Sequence, residues 1–218
     1  MMCRFVRLVR DTHASSAAEF AIVLPLLLIF LLGVIDVGRL MWTWNRAEKA
    51  TQMGVRYAVA TDMVPNGLAA YSFVVSGGLS QGDVIPQSSF GGASCLINAG
   101  AVSCSCKAGA TCPPNLIGTT NSDKANALTA FNNIAARMKL FFPKIGPTNV
   151  QIDYDYSGLG YAGDPNGSDV SPLVRVSLRQ DNPVTFTPML FRFFNGTITL
   201  PSFSAALTME DGQGSASN

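Results

Sequence analysis

Four clustered cysteines, one glutamate at the head of an apolar run, and two pairs of aspartates are the residues of this 218-residue chain whose types and spacing suit chemistry. Cys95, Cys104, Cys106 and Cys112 follow the spacing C-x8-C-x-C-x5-C. Zinc sites usually need two close C-x2–4-C knuckles, which this spacing lacks. An even set of clustered cysteines reads instead as disulfides formed in an oxidising compartment. Cys104 and Cys106 are too close to bridge each other comfortably. Two connectivities remain open: Cys95–Cys104 with Cys106–Cys112, or Cys95–Cys106 with Cys104–Cys112. Asp153 and Asp155 alternate along a strand pattern, so they share a face. Paired carboxylates can serve as general acid and base, but arginines nearby in the pattern favour a charge pair on a sheet surface. Asp164 to Asp169 offers oxygen ligands without the spacing or bidentate glutamate of a calcium loop, and reads as a turn.

The single histidine, His13, lies near the N-terminus, so a multi-histidine metal site or a histidine triad in the folded body is excluded. No G-x-S-x-G, P-loop or dinucleotide fingerprint is present. The chain reads as a non-enzyme, with no metal and no cofactor. A net charge of +1 gives no basic excess for nucleic acid. Charged residues make up 13% and hydrophobic residues 48%. The charged share is about half the ~25% of a typical soluble domain, which excludes a disordered, solvating chain.

The apolar excess is concentrated. Residues 20–35 read FAIVLPLLLIFLLGVI, without a charge, closed by Glu19 and Asp36. With Ala17, Ala18, Val37 and Gly38 the segment reaches the ~20 residues that cross ~30 Å of hydrocarbon. Its Leu, Ile, Val and Phe residues favour insertion by roughly 4–8 kcal/mol in sum. A cleaved signal peptide would show a small-residue cleavage site after a shorter run; Asp36, Arg39, Trp42 and Trp44 follow here instead. Arg4, Arg7 and Arg10 precede the run and predict a cytoplasmic N-terminus with residues beyond it outside the cytoplasm. Glu19, a carboxylate at the lip of such a helix, is costly there and therefore a functional candidate.

The helical pattern continues without proline to Asp62, predicting a rod over 15–62 of about 72 Å at 1.5 Å per residue. Pro25 is expected to bend it. Arg39, Thr43, Arg46, Lys49, Gln52 and Arg56 form a polar stripe. Leu40, Trp44, Ala47, Thr51, Gly54 and Ala58 form an apolar one suited to close approach to a sheet. Residues 66–121 read as a loop-rich excursion with one or two short strands, for example Tyr71–Val75. It holds the disulfide-rich loop 95–112. Periodicity predicts a helix over 123–142, capped by Ser122, with Ala127, Leu128, Phe131, Ile134, Ala135, Met138 and Phe142 on one face. Period-two alternation predicts strands through Val150–Tyr156 and Val174–Leu178. If they pair, Asp153 and Asp155 face Arg175 and Arg179. A last strand pair is expected between Thr197 and Met209, and a polar tail after it.

The expected organisation is therefore a basic cytoplasmic leader (1–14), a transmembrane and extended amphipathic helix (15–62), an extracytoplasmic α+β domain (63–212) and a tail (213–218). The fold class is α+β, a long N-terminal helix packed on a small antiparallel sheet with one further helix.

The run AAEFAIVLPLLLIFLL from Ala17 to Leu32, followed by Gly38-Arg39, Asn45, Ala50, Gly54 and Arg56-Tyr57-Ala58, resembles the TadE-like family. These are minor pilins, or pseudopilins, of the tight-adherence (Tad/Flp) pilus machinery. The Glu19-Phe20 pair at the head of a proline-containing apolar helix is the specific part. The ending from Pro201-Ser202-Phe203 to Met209-Glu210-Asp211 is also similar. The resemblance implies a prepilin-type protein cut by a prepilin peptidase five residues before the glutamate, between Ala14 and Ser15, with alanine in place of the usual glycine. It implies that Glu19, beside Phe20, pairs with a neighbouring subunit's N-terminal amine during assembly. The implied partners are the lipid bilayer, other pilin or pseudopilin subunits and the pilus secretion machinery. The implied location is a single-pass inner (cytoplasmic) membrane protein that enters the pilus or stays anchored. The competing expectation is a membrane-tethered extracytoplasmic domain that binds a ligand or surface outside any filament.

Overall fold

The computed structural model describes residues 12–190 and 196–209, with side chains from residue 17 onward. The basic leader (Arg4, Arg7, Arg10), Cys3, Glu210, Asp211 and the tail lie outside the described residues. The elements are α1 (Thr12–Val59), α2 (Asn66–Ala69), β1 (Gly92–Asn98), β2 (Ala101–Cys106), α3 (Asn121–Phe141), a 3-10 turn (Pro147–Asn149), β3 (Val150–Asp155), β4 (Leu173–Leu178), β5 (Thr185–Phe186), β6 (Ile198–Thr199) and β7 (Ser204–Thr208). The α+β class is as the patterning predicts. Helix α1 runs uninterrupted through Pro25 and stops at Val59, before the expected Asp62. The chain divides into two compact units. One holds α1 through Thr43 together with Thr185–Ile198. The other holds Trp44–Val184 and the chain from Thr199 onward.

In the second unit, five strands form an antiparallel sheet in the order β2-β1-β3-β4-β7. Period-two side chains of three strands fill its inner face: Ala93, Cys95 and Ile97; Val150, Ile152 and Tyr154; Val174, Val176 and Leu178, all buried. The register sets Cys104, Cys95, Ile152, Val176 and Ala205 in one row across the sheet. Against this face lie α3, through Phe131, Ile134, Ala135 and Met138, and the part of α1 carrying Ala47, Ala50, Thr51, Gly54, Val55 and Ala58. A Cβ at Gly54 would stand 2.6 Å from Met138 Cγ and 3.3 Å from Val176 Cγ1. At Gly54 α1 thus comes close to side chains of both α3 and β4, and any larger residue there would have to displace Met138 and press on Val176.

Several local expectations change. Tyr71–Val75 is turn, not strand. The region 95–112 is not a loop: it begins as the β1–β2 hairpin. Its two-residue connection, Ala99-Gly100, has φ of 49° and 80°. A hairpin turn with both central residues left-handed matches the twist of its strands. Such turns are normally signalled by Asn-Gly or Asp-Gly, and alanine in the first place hides this one. The expected terminal strand pair is also rearranged. β6 pairs with β5 and β7 with β4, so the two do not pair with each other. The cap of α3 is Thr120 rather than Ser122. Asp123 N–H donates to Thr120 Oγ1 and Thr120 N–H to Asp123 Oδ2, each at 3.1 Å, a reciprocal capping box. Leu128 on α3 is half-buried rather than core.

Along α1 Ala47, Thr51, Gly54 and Ala58 are buried and Lys49, Gln52 and Arg56 exposed, as the patterning predicts, while Thr43 and Trp44 exchange their expected settings. Thr43 is buried and donates its hydroxyl to Arg39 O at 2.7 Å. Arg46 reaches Phe141 O at 2.7 Å. Trp44, expected inside, is exposed with its ring edge-on to Phe203, centroids 4.9 Å apart. A longer-range pin follows the helix: Val64 N–H donates to the Tyr154 hydroxyl at 3.1 Å. Tyr154 is wholly buried, and desolvation pushes its hydroxyl pKa up, so it stays protonated.

Two changes test these contacts in the detergent-solubilised full chain. Tyr154→Phe strands the Val64 N–H in a buried site and should destabilise the second unit by about 1–3 kcal/mol in chemical denaturation. Ala99→Asn relieves part of the ~1–2 kcal/mol cost of a left-handed alanine and should raise stability by up to about 1 kcal/mol. A fall in stability would contradict the turn geometry.

Candidate functional site

Helix α1 presents its charge-free run as open surface. Ile22, Leu26 and Phe30 are 78%, 69% and 69% exposed. Its most apolar stretch has a mean hydropathy of 2.8 and is 6% buried. A core helix would bury such residues, since leaving each large apolar side chain in water forgoes about 1.5–3 kcal/mol. This helix is long and apolar enough to cross a membrane. Glu19 and Phe20 both lie on exposed surface at its head. Ala14 and Ser15 are within the helix, close to its start at Thr12.

At the other end of the run, Asp36 is not simply a boundary charge. It is buried, and each carboxylate oxygen takes a backbone N–H: Met189 to Oδ1 at 2.8 Å and Leu190 to Oδ2 at 2.9 Å. Arg39, one turn on, closes an ion pair with Oδ1 at 3.0 Å. The Arg39 guanidinium also stands 5.3 Å over the Phe186 ring. The only sequence signal for this arrangement is the i,i+3 spacing of Asp36 and Arg39; its partners are more than 150 positions away in the chain.

In the second unit the cysteine connectivity is settled. Cys95 joins Cys104, its direct cross-strand neighbour, and Cys106 joins Cys112 across the loop after β2. The first bond belongs to the sheet's core row, where Cys95 is fully buried. The paired aspartates lie on the opposite face. Asp153 sits opposite Arg175 in the register and Asp155 Oδ2 is 3.7 Å from Arg175 Nε, as alternation predicts. Lys107, absent from the sequence reading, spans both: its ammonium is 3.6 Å from Asp153 Oδ2 and bonded to Asp155 Oδ1. Gln151 Nε2 donates to Asp153 Oδ1 at 2.9 Å. Arg179 does not join them. It pairs with Asp181 and donates to Ile97 O and Asn98 Oδ1 at the end of the β1 strand. The cluster is an ion-paired network on the sheet's second face.

The Asp164–Asp169 segment is a turn whose oxygens are already engaged. Asp169, buried, takes Phe73 N–H at 2.7 Å and Asp164 N–H at 3.2 Å. Among the described residues no group of three or more His, Cys, Asp or Glu is placed to share a metal ion. A polar groove of about 790 Å³ opens beside the end of α1, lined by Tyr57, Asp62, Asn66, Asn126, Asn133 and Asn166.

Residues 14–56 match the model of the TadE-like protein family. No curated protein and no solved structure was found to match the chain. The TadE-like segment coincides with α1 almost end to end. It opens on Ala14 and contains Glu19, Phe20, the charge-free run, Asp36 and the small-residue stripe through Gly54. The sheet, both disulfides and the polar groove lie outside it.

The Asp36 pin gives a direct test. Asp36→Ala should leave two backbone donors without their acceptor and release the Met189–Leu190 corner. Hydrogen exchange read by mass spectrometry should show faster exchange in peptides covering residues 185–190, with β1, β3 and β4 unchanged. Unaltered protection at 185–190 would mean that Asp36 does not hold the corner.

Proposed function

We propose that this chain is a membrane-anchored minor-pilin-like component of a tight-adherence pilus system that acts by helix–helix packing and not by catalysis. The TadE-like match over residues 14–56 carries the reading. The open apolar surface of α1 supports it, because such a surface needs lipid or other helices around it. In this reading the N-terminus stays in the cytoplasm, as Arg4, Arg7 and Arg10 direct, and the disulfide-bonded α+β unit lies outside. That compartment suits two disulfides. The bond between Ala14 and Ser15 is the proposed prepilin cleavage position. Glu19, with Phe20 beside it, is the proposed assembly residue, meeting the N-terminal amine of a neighbouring pilin.

The polar groove favours a second reading, in which the outer unit is a tethered binding domain that never enters a filament. Asn and Asp side chains beside Tyr57 suit a polar, hydroxyl-bearing ligand.

Glu19→Gln separates the two. In a tethered domain, removing a charge at the membrane edge preserves insertion and changes nothing else. In an assembling subunit it breaks an ion pair between helices. Losing one partner of a buried pair costs about 3–5 kcal/mol, several hundred-fold or more in association. The expected result is normal abundance and normal insertion with loss of piliation and of co-purification with other pilins. A stable variant with wild-type piliation and unchanged partners would overturn the assembly role of Glu19.

A further inference from the structure

We infer that the corner after β5, Thr187–Leu190, is a second contact with the lipid surface, dipping into the interface beside the helix that crosses it. The inference rests on the reading of α1 as a membrane span and goes beyond it, since the TadE-like match ends at residue 56.

Depth is the first argument. Leu190 Cδ1 lies 3.7 Å from the position a Cβ on Gly33 would take. Gly33 is inside the charge-free run, a full turn nearer its centre than the point where Asp36 ends it. A side chain packed on Gly33 stands level with the apolar part of the helix, not above it. That separation is ordinary van der Waals contact, so Leu190 packs directly on the helix at this level.

The second argument is how the corner's polar groups are treated. Backbone N–H groups entering a low-dielectric layer must have partners, because water is absent to supply them. Met189 and Leu190 both donate to Asp36, which is buried although it ends an otherwise apolar run. Pro188 has no N–H to satisfy. Arg39 balances the carboxylate with its side chain 40% exposed, long enough to reach headgroups while its stem stays on apolar surface. The carboxylate, the two donors and the cation form a closed set.

The third argument is what faces outward. Met189 is 46% exposed, and on α1 Val34, Ile35, Val37 and Met41 are exposed as well. Residues 185–190 read TFTPML, without a charge. Trp42, also exposed, stands where interfacial aromatics belong. The apolar surface of the corner is thus continuous with the lipid-facing surface of the span. This continuity assigns the bilayer interface as its occupant, with water or a second protein chain as the alternatives to be tested.

Spin labels on the full-length chain in phosphatidylcholine vesicles decide it. In a Cys3→Ser background, with the other four cysteines kept as disulfides, Met189→Cys carries the label. Val23→Cys, within the run, and Val75→Cys, 84% exposed in the other unit, carry the controls. Power saturation compares collision with oxygen, which partitions into lipid, and with a water-soluble nickel chelate. At position 189 oxygen should dominate, as at 23 and in contrast to 75. Thr187→Cys, on the same exposed corner, should give the same ordering if the Met189 variant folds poorly. Nickel dominance at 187 and 189 with oxygen dominance at 23 would place the corner in water and overturn the inference while the span stands. Shielding from both reagents would mean that protein covers the corner, which also overturns it. Nickel dominance at 23 would remove the span itself, and the corner's lipid contact with it.

Discussion

The close approach of α1 at Gly54 is the constraint on which the second unit depends. A 48-residue helix can serve as part of a small domain's core only if its backbone comes near enough for three elements to share one contact. Ala47, Ala50, Gly54 and Ala58 provide that nearness. Larger side chains on α3 and the sheet, Phe131, Ile134, Met138, Ile152 and Val176, then fill the space the helix leaves. Small residues on one partner and large on the other let the interface reach interior packing density. The register across Cys95, Ile152 and Val176 puts the first disulfide in that packed row, where it ties the edge strand β2 to β1.

The same helix meets a different demand in the first unit, where its large side chains face outward all round. There the organising group is a charge. Asp36 is tolerable in its position because two backbone donors and Arg39 surround it. In the second unit comparable economy recurs at Asp169, which closes two turns, and at Lys107, which joins two like-charged aspartates that would otherwise repel. Their effect is to choose which face of a segment is wet and which loop closes on which.

The TadE-like segment joins an exposed apolar run to a small-residue stripe that packs on its own sheet, in one uninterrupted element. Glu19 and Asp36, the carboxylates at its two ends, have opposite settings: one on open surface, the other enclosed by backbone donors.

The amino-acid sequence by itself determined the elements whose signals are local. The charge-free run, the small stripe of α1, the α3 face from Ala127 to Met138 and the alternation in β3 and β4 repeat with the period of the structure they form. The α+β class and the membrane-crossing length follow from them, and so does the opposition of Asp153 and Asp155 to Arg175. The cysteine cluster was legible as disulfides but not in its pairing, because spacing admits two connectivities and only the β1–β2 register makes Cys95 and Cys104 neighbours. The hairpin stayed hidden because an alanine occupies a left-handed position that sequence patterns associate with Asn, Asp or Gly. Tertiary structure alone decided the rest. Arg179 turns to Asp181, Lys107 reaches the aspartate pair, Tyr154 receives the Val64 amide, and Asp36 receives Met189 and Leu190. Each partnership joins a charge or hydroxyl to a group chosen by the folded path of the chain, and a periodicity of two or 3.6 carries no information about that path.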